Sequence, residues 1–309
     1  MKTLNSSLSD LTGARQTMLT WARVIESYAD IPDIYKSSCS AVLENIQPFP
    51  YVVLVPSIRE DRQRRSSENM ICEINNSFYI WERIGNKVLS GVYPIKTINF
   101  LELGSVLLSS WLTVSGLNAD GSPSSFTIAF NTSTGRYLTP FISKMRPAPT
   151  DMNETDWKAE RTKLDYLGSI NFKFMNFARE SLISGEKVIQ SILQPKIRKH
   201  IFTLFGQKIY RTVELAHLVL LTDKEVIFLS DDKQTTEVKG ERYGGIWQYV
   251  ALQNISAVSL TESSDGLVTL SLKLSFGDRK LDKTFEASNK SRLEDFKNKL
   301  QQMIGQTTV

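Results

Sequence analysis

Two histidines, His200 and His217, and two cysteines, Cys39 and Cys72, are the whole stock of imidazole and thiol in 309 residues. A transition-metal site needs three or four such ligands at close spacing, as in H-E-x-x-H or paired C-x-x-C, and neither pattern occurs. Cys39 and Cys72 stand 33 positions apart, which indicates neither a disulfide framework nor a zinc site and suits a reducing compartment. His217 lies inside the apolar run LAHLVLL, where a hydrogen-bonded structural imidazole outweighs a catalytic one. No G-x-S-x-G elbow, Walker A loop or G-x-G-x-x-G run is present. Gly240, Gly244 and Gly245 in KGERYGG suit a loop, but the strand-like IWQYVAL follows, where a phosphate cradle needs a helix. The acidic pairs Asp231–Asp232 and Glu294–Asp295 read as solvated charge in a turn and on a helix surface. The sequence therefore calls for no catalytic residue, no cofactor and no metal, and reads as a non-enzyme. A pocket with convergent polar groups around Tyr243, Trp247 and Tyr249 would reverse that reading.

Binding chemistry is better represented. In RKHIFTLFGQKIYR (198–211), Ile201, Phe202, Leu204 and Phe205 lie between basic clusters, and Lys196, Arg198, Lys199, Lys208 and Arg211 make five cations with no acid among residues 196–211. Three readings of this stretch stand side by side: two strands around a turn at Gly206 with their cations keeping an edge solvated; a loop for anionic membranes, with Phe202 and Phe205 entering the interface; and a protein-binding surface. A second basic stretch, SIREDRQRRSSE (57–68), sets Arg59, Arg62, Arg64 and Arg65 against Glu60, Asp61 and Glu68. Nucleic acid is not expected, because aliphatic side chains rather than stacking aromatics separate the cations and the net charge is only +4.

An apolar content of 41%, both charge signs and a pI near 8.9 describe an ordinary globular chain of two domains. The opening MKTLNSSLSD lacks the apolar core of a signal peptide and no apolar run is long enough to span a bilayer, so the expected location is cytoplasmic, with peripheral contact at the inner face of the membrane as an option.

The elements that would position these residues emerge when the sequence is compared with itself. Residues 70–87 lie against 217–234, matching Ile74 with Leu221, Asn76 with Asp223, Ile80 with Ile227 and Trp81 with Phe228, each block reading as a hairpin around a short polar turn. IKTINFLEL (95–103) lies against LQNISAVSL (252–260). Residues 127–145 lie against 281–300, with Phe130, Leu138, Phe141 and Met145 opposite Phe285, Leu293, Phe296 and Leu300. Here the period changes from two to the three-and-four spacing of an amphipathic helix. Pro140 makes the first-copy helix short, with Thr139 as its cap. Leu19, Ala22, Ile25 and Tyr28, and then Trp157, Leu164, Phe174 and Phe177, predict a helical leader before each copy, with Trp21 equivalent to Trp157 and Tyr35 to Phe172.

The pattern L-L-T-D-x-x-x-I-F around Leu220, Leu221, Thr222, Asp223, Ile227 and Phe228, the later strand QNISAVSL, the pair GLVTLSLKLSFG and the closing helix resemble the bacterial PH-like and GRAM-like domains. The resemblance covers 185–304 directly and 50–146 mainly through the repeat. Phe141 and Phe296 stand where the eukaryotic PH domain usually has Trp in the closing helix. The resemblance implies an α+β fold of two tandem partly open barrels, each of about seven antiparallel strands plus a C-terminal helix. It also implies that the basic β1–β2 loops grip phosphorylated headgroups, and the R-x-R of Arg62 and Arg64 is similar to the family's basic motif.

The expected organisation is a helical leader (1–46), a first PH-like domain (47–149), a helical linker (150–184), a second PH-like domain (185–304) and a tail (305–309). The leading functional expectation is a protein-interaction or scaffold module. The alternative is peripheral binding to anionic lipids through the basic loops, and an enzyme is the remote third. The oligomeric state is left open.

Overall fold

The computed structural model describes residues 19–58, 66–205, 207–233, 237–238, 241–242 and 244–307. Among the described residues the fold is α+β, every strand pairing is antiparallel, and no sheet closes into a barrel.

In the first half, β1 (Arg23–Ile25) and α1 (Asp33–Leu43) precede β2 (Val52–Val55), β3 (Glu68–Ile74), β4 (Ser77–Ile84) and β5 (Lys87–Pro94), and these five strands form one sheet in chain order. Then come β6 (Ile98–Val106), β7 (Ser109–Leu117), β8 (Pro123–Asn131) and the closing α2 (Thr139–Met145). Two helices, α3 (Glu154–Thr162) and α4 (Phe172–Ser181), join the halves. Both start on an asparagine cap, Asn153 accepting from the Asp156 N–H at 2.8 Å and Asn171 from the Phe174 N–H at 3.2 Å.

The second half repeats the plan. Its strands are β9 (Val188–Gln194), β10 (Ile197–Leu204), β11 (Gln207–Glu214), β12 (His217–Thr222), β13 (Glu225–Ser230), the two-residue β14 (Glu237–Val238) and β15 (Glu241–Arg242), β16 (Gly245–Ala251), β17 (Ile255–Glu262), β18 (Val268–Leu274) and β19 (Lys280–Phe285). The 18-residue α5 (Lys290–Thr307) closes it. Four strands, three strands and a helix recur in the same order, with the hairpins β10–β11 and β14–β15 inserted among them.

The two halves share a sheet. Its order is β8-β7-β6-β16-β13-β12-β9, so β6 of the first half pairs directly with β16 of the second, Ser105 facing Gly245 and Leu101 facing Tyr249. The chain enters β16 through Gly244 at φ +82°, where a Cβ would lie 2.0 Å from the Ser105 carbonyl oxygen; only glycine combines that backbone with that approach. Stretches 47–149 and 185–304 are thus coupled through backbone hydrogen bonds.

Each closing helix fills the inner face of its own half. Phe141 packs with Phe78, Ile80 and Phe130, and Phe296 with Phe228, Leu270 and Phe285, all buried. The outer faces are covered by the segments before each copy: Tyr35, Cys39 and Leu43 of α1 lie on Met70, Cys72 and Trp81, and Phe174 and Ala178 of α4 lie in the cluster of Leu218, Ile227 and Leu229. Both cysteines are free and buried.

Several expectations need correction. The leader is not helical over Leu19–Tyr28: β1 occupies Arg23–Ile25 and pairs with the edge of β2, the β-branched Val24 and Ile25 filling a strand, and the helix starts only after Pro32. Residues 1–18 lie outside the described residues. Trp21 is exposed next to β1 while Trp157 packs on the core from α3, and Tyr35 is buried while Phe172 is exposed, so neither pair is equivalent. The turns Asn75–Asn76 and Asp223–Lys224 set Ile80, not Trp81, opposite Phe228: Ile80 and Phe228 face the closing helices, whereas Trp81 faces α1. A one-residue slip in alignment exchanges the two faces of a strand. Thr139 is the first residue of α2 rather than its cap, and the expected tail begins as the last turn of α5. The short first-copy helix, seven residues, is as read.

Candidate functional site

The stretch 197–214 forms a two-stranded ribbon separate from both large sheets, rooted between β9 and β12. From Arg198 to Val213 every residue whose burial is described is exposed. Eight residues per strand give a length of about 25 Å.

Register sorts the side chains. Lys199 faces Arg211, His200 faces Tyr210, Phe202 faces Ile209 and Thr203 faces Lys208, with a bulge between His200 and Phe202. Because directly paired residues share a face and successive pairs alternate, Phe202–Ile209 and Lys199–Arg211 lie on one side of the ribbon, the apolar pair nearer the tip. Thr203–Lys208 and His200–Tyr210 lie on the other, and the His200 and Tyr210 rings meet edge to face at 5.7 Å. Phe205 sits at the turn with φ +47° and is 97% exposed; Phe202 is 49% exposed. Near the root, Lys199 Nζ reaches Asp265 Oδ2 at 3.1 Å, whereas Lys208 and Arg211 form no ion pair among the described residues. Lys196 and Arg198 complete the cationic root.

The counterpart in the first copy is the β2–β3 connection. Its stem is closed by the Ser66 N–H donating to the Ile58 carbonyl at 2.9 Å and the Ile58 N–H donating to Ser66 Oγ at 2.8 Å. Arg59, Arg62, Arg64 and Arg65 lie outside the described residues.

A cleft lies elsewhere, between the halves. About 460 Å³ in volume, it is lined by the 3-10 turns Ile95–Thr97 and Leu252–Asn254, which the repeat makes equivalent, and by Lys96, Lys144, Arg146 and Lys224. Most of its cations are already engaged: Lys144 pairs with Glu73, Lys224 Nζ donates to the Ala148 carbonyl at 2.6 Å, and Arg146 pairs with buried Glu225. Arg146 also donates to the Ser181 carbonyl at 2.6 Å and lies 3.9 Å over the Tyr249 ring. Burial pushes the Glu225 carboxyl up and Arg146 opposes it. Glu186, buried beside Glu225, hydrogen-bonds Thr222 Oγ1 and the Ile183 N–H, and burial raises it to about 7. The neighbouring cavity at Tyr249 is only about 10 Å³, room for no more than one water. This network fastens one half to the other. Tyr243 lies outside the described residues, and Trp247 packs tilted against Phe177, ring centroids 4.5 Å apart, so no deep polar pocket forms around the described members of that aromatic set.

His217 is fully buried, its Nδ1 2.9 Å from the Leu215 carbonyl and its ring edge-on to Phe285 at 4.7 Å, and burial lowers it to about 3. Its Nε2 has no hydrogen-bond partner among the described residues. Among the described residues, no group of three or more His, Cys, Asp or Glu is placed to hold a metal, and no helix is long and apolar enough to cross a membrane. No protein-family model matches the chain, and no curated protein matches it.

Proposed function

We propose that the chain is a non-enzymatic binding module of two PH-like units that docks on anionic membrane surfaces through the β10–β11 ribbon. The observation that carries this reading is the ribbon itself: an apolar tip at Phe202, Phe205 and Ile209, with Lys196, Arg198, Lys199, Lys208 and Arg211 along its length and at its root. Each cation near an anionic leaflet contributes about 1 kcal/mol. An exposed Phe gains up to about 2–3 kcal/mol on full burial. The four-strand, three-strand, helix plan of each half supports the PH-like reading, in which the ribbon is the connection between first and second strands.

A protein partner was the leading expectation from the sequence. Exposure of Phe202 and Phe205 sets aside a ribbon lying against the core, and five cations with no acid over 196–211 beside those exposed rings favour an anionic membrane as the occupant. The test is co-sedimentation with phosphatidylserine–phosphatidylcholine vesicles and with phosphatidylcholine alone, at low and moderate salt. Binding to the anionic vesicles only, weakened by salt and by Lys208→Glu with Arg211→Glu, is the expected result. No binding under any condition would overturn the reading and return the ribbon to a protein partner.

A further inference from the structure

The seven-stranded sheet places a second exposed apolar element at the same end as the ribbon. Register runs across it from Ser105 of β6 to Gly245, from Ile246 to Ser230, from Ser230 to His217 and from His217 to Gln194. The β6–β7 turn and the root of the ribbon therefore leave one edge of the sheet together, four strand spacings apart, or about 19 Å.

That turn is Leu107–Leu108, 74% and 67% exposed. Leu107 holds φ +53°, a conformation a leucine adopts at a cost of about 1 kcal/mol or more. Nothing in the turn requires leucine. The equivalent β17–β18 turn of the second copy is built from Ser263, Asp265 and Gly266, with Ser263 Oγ donating to the Leu267 carbonyl at 3.1 Å and Gly266 taking the positive φ. The start of α4 is held at the same end, because Lys173 Nζ reaches the Gly244 carbonyl at 3.1 Å; its neighbour Phe172 is 65% exposed. Leucine is used where turn chemistry and solvent both disfavour it, which points to a surface that is covered in use.

We infer that Leu107 and Leu108 are a second membrane-contacting element, seated in the same anionic bilayer as the ribbon. The inference rests on the proposed membrane docking, and the cations of the ribbon select the occupant by charge. Two contacts so far apart fix the orientation of the sheet on the membrane. They also require the ribbon to lie along the surface, because a ribbon about 25 Å long standing upright would hold the turn away from the lipid.

The test uses Leu107→Asn with Leu108→Ser, a pair suited to the turn because Asn tolerates positive φ. Affinity for phosphatidylserine–phosphatidylcholine vesicles is expected to fall about ten-fold with the unfolding midpoint not lowered. In parallel, a polarity-sensitive fluorophore attached through Leu108→Cys is expected to shift to the blue on adding those vesicles, and one attached through Ala119→Cys, in the exposed β7–β8 turn at the opposite end of the sheet, is not; native Cys39 and Cys72 are buried. If the wild type binds and Phe205→Ser weakens it, while the leucine variant binds normally and the label at 108 does not shift, this inference is overturned and membrane docking stands. If the wild type does not bind these vesicles, both fall.

Discussion

The two copies agree in their interiors and differ at their ends. Phe141 and Phe296 occupy the same position against Phe130 and Phe285, and β6 and β17 carry the same early bulge, between Ile98 and Phe100 and between Ile255 and Ala257. By contrast, the connection after β2 starts from a stem closed at Ile58 and Ser66, with 59–65 outside the described residues, whereas the connection after β9 is a long exposed ribbon. The turn after β6 is leucine where the turn after β17 is serine and aspartate. Edges differ too: β6 is paired with β16, whereas β17 ends its sheet. Shared features are those that bury apolar surface, and unshared ones carry exposed apolar and cationic groups at one end of the molecule. Function is therefore to be sought where the repeat fails.

The first way to break this comparison is in the cores. Phe141→Ala and Phe296→Ala are each expected to cost about 3–5 kcal/mol in denaturant unfolding. A large loss at one site and none at the other would mean that the copies are not packed alike. Second, the joint has no equivalent inside either copy: Ser77 of β4 stands where β13 has Glu225. Arg146→Met, which leaves Glu225 buried without its partner, should cost about 3–5 kcal/mol, and Ser77→Ala should fall within about 0.5 kcal/mol of wild type.

The third test is pH. Glu186 has its folded value raised to about 7, so the stability it contributes is present below about 4.5 and is lost as pH rises through 7. Glu186→Gln should flatten the slope between about pH 4.5 and 7, worth about 3 kcal/mol in all. His217 works in the opposite sense: its folded value is lowered to about 3, so its contribution is intact above 6.5 and is lost as pH falls towards 3. His217→Phe should reduce the acid-side slope, measured as unfolding free energy against pH. Smallest of all, Leu107→Asn alone should leave stability unchanged or raise it by up to about 1 kcal/mol, by removing strain at a positive φ.

The repeat was legible where each strand has one distinctive neighbour. The match of IKTINFLEL to LQNISAVSL holds through the 3-10 turn and into the bulge, and the change to helical spacing at Leu138 and Leu293 marks both closing helices. The sequence match of the hairpins is one residue out of register because β12 and β13 are buried on both faces and β3 nearly so, leaving no polar alternation to fix register. The β1 segment was misread because Leu19, Ala22 and Ile25 fit a helical stripe, while the edge of β2 that it completes is a tertiary fact. Pairing of β6 with β16 leaves no trace in side-chain period, since backbone groups make it. The cations and phenylalanines of the ribbon were visible in the sequence; their exposure was not, and Leu107–Leu108 gave no pattern beyond two apolar residues at the end of a strand.

The most direct test of membrane docking is the affinity of a Phe202→Ser, Phe205→Ser variant for phosphatidylserine–phosphatidylcholine vesicles, at an unfolding midpoint matched to wild type. Both side chains are exposed, so the fold should tolerate the change. The account predicts an affinity about 100-fold lower, from about 3 kcal/mol of lost burial. An unchanged affinity in a folded variant would contradict it and place the docking surface elsewhere on the molecule.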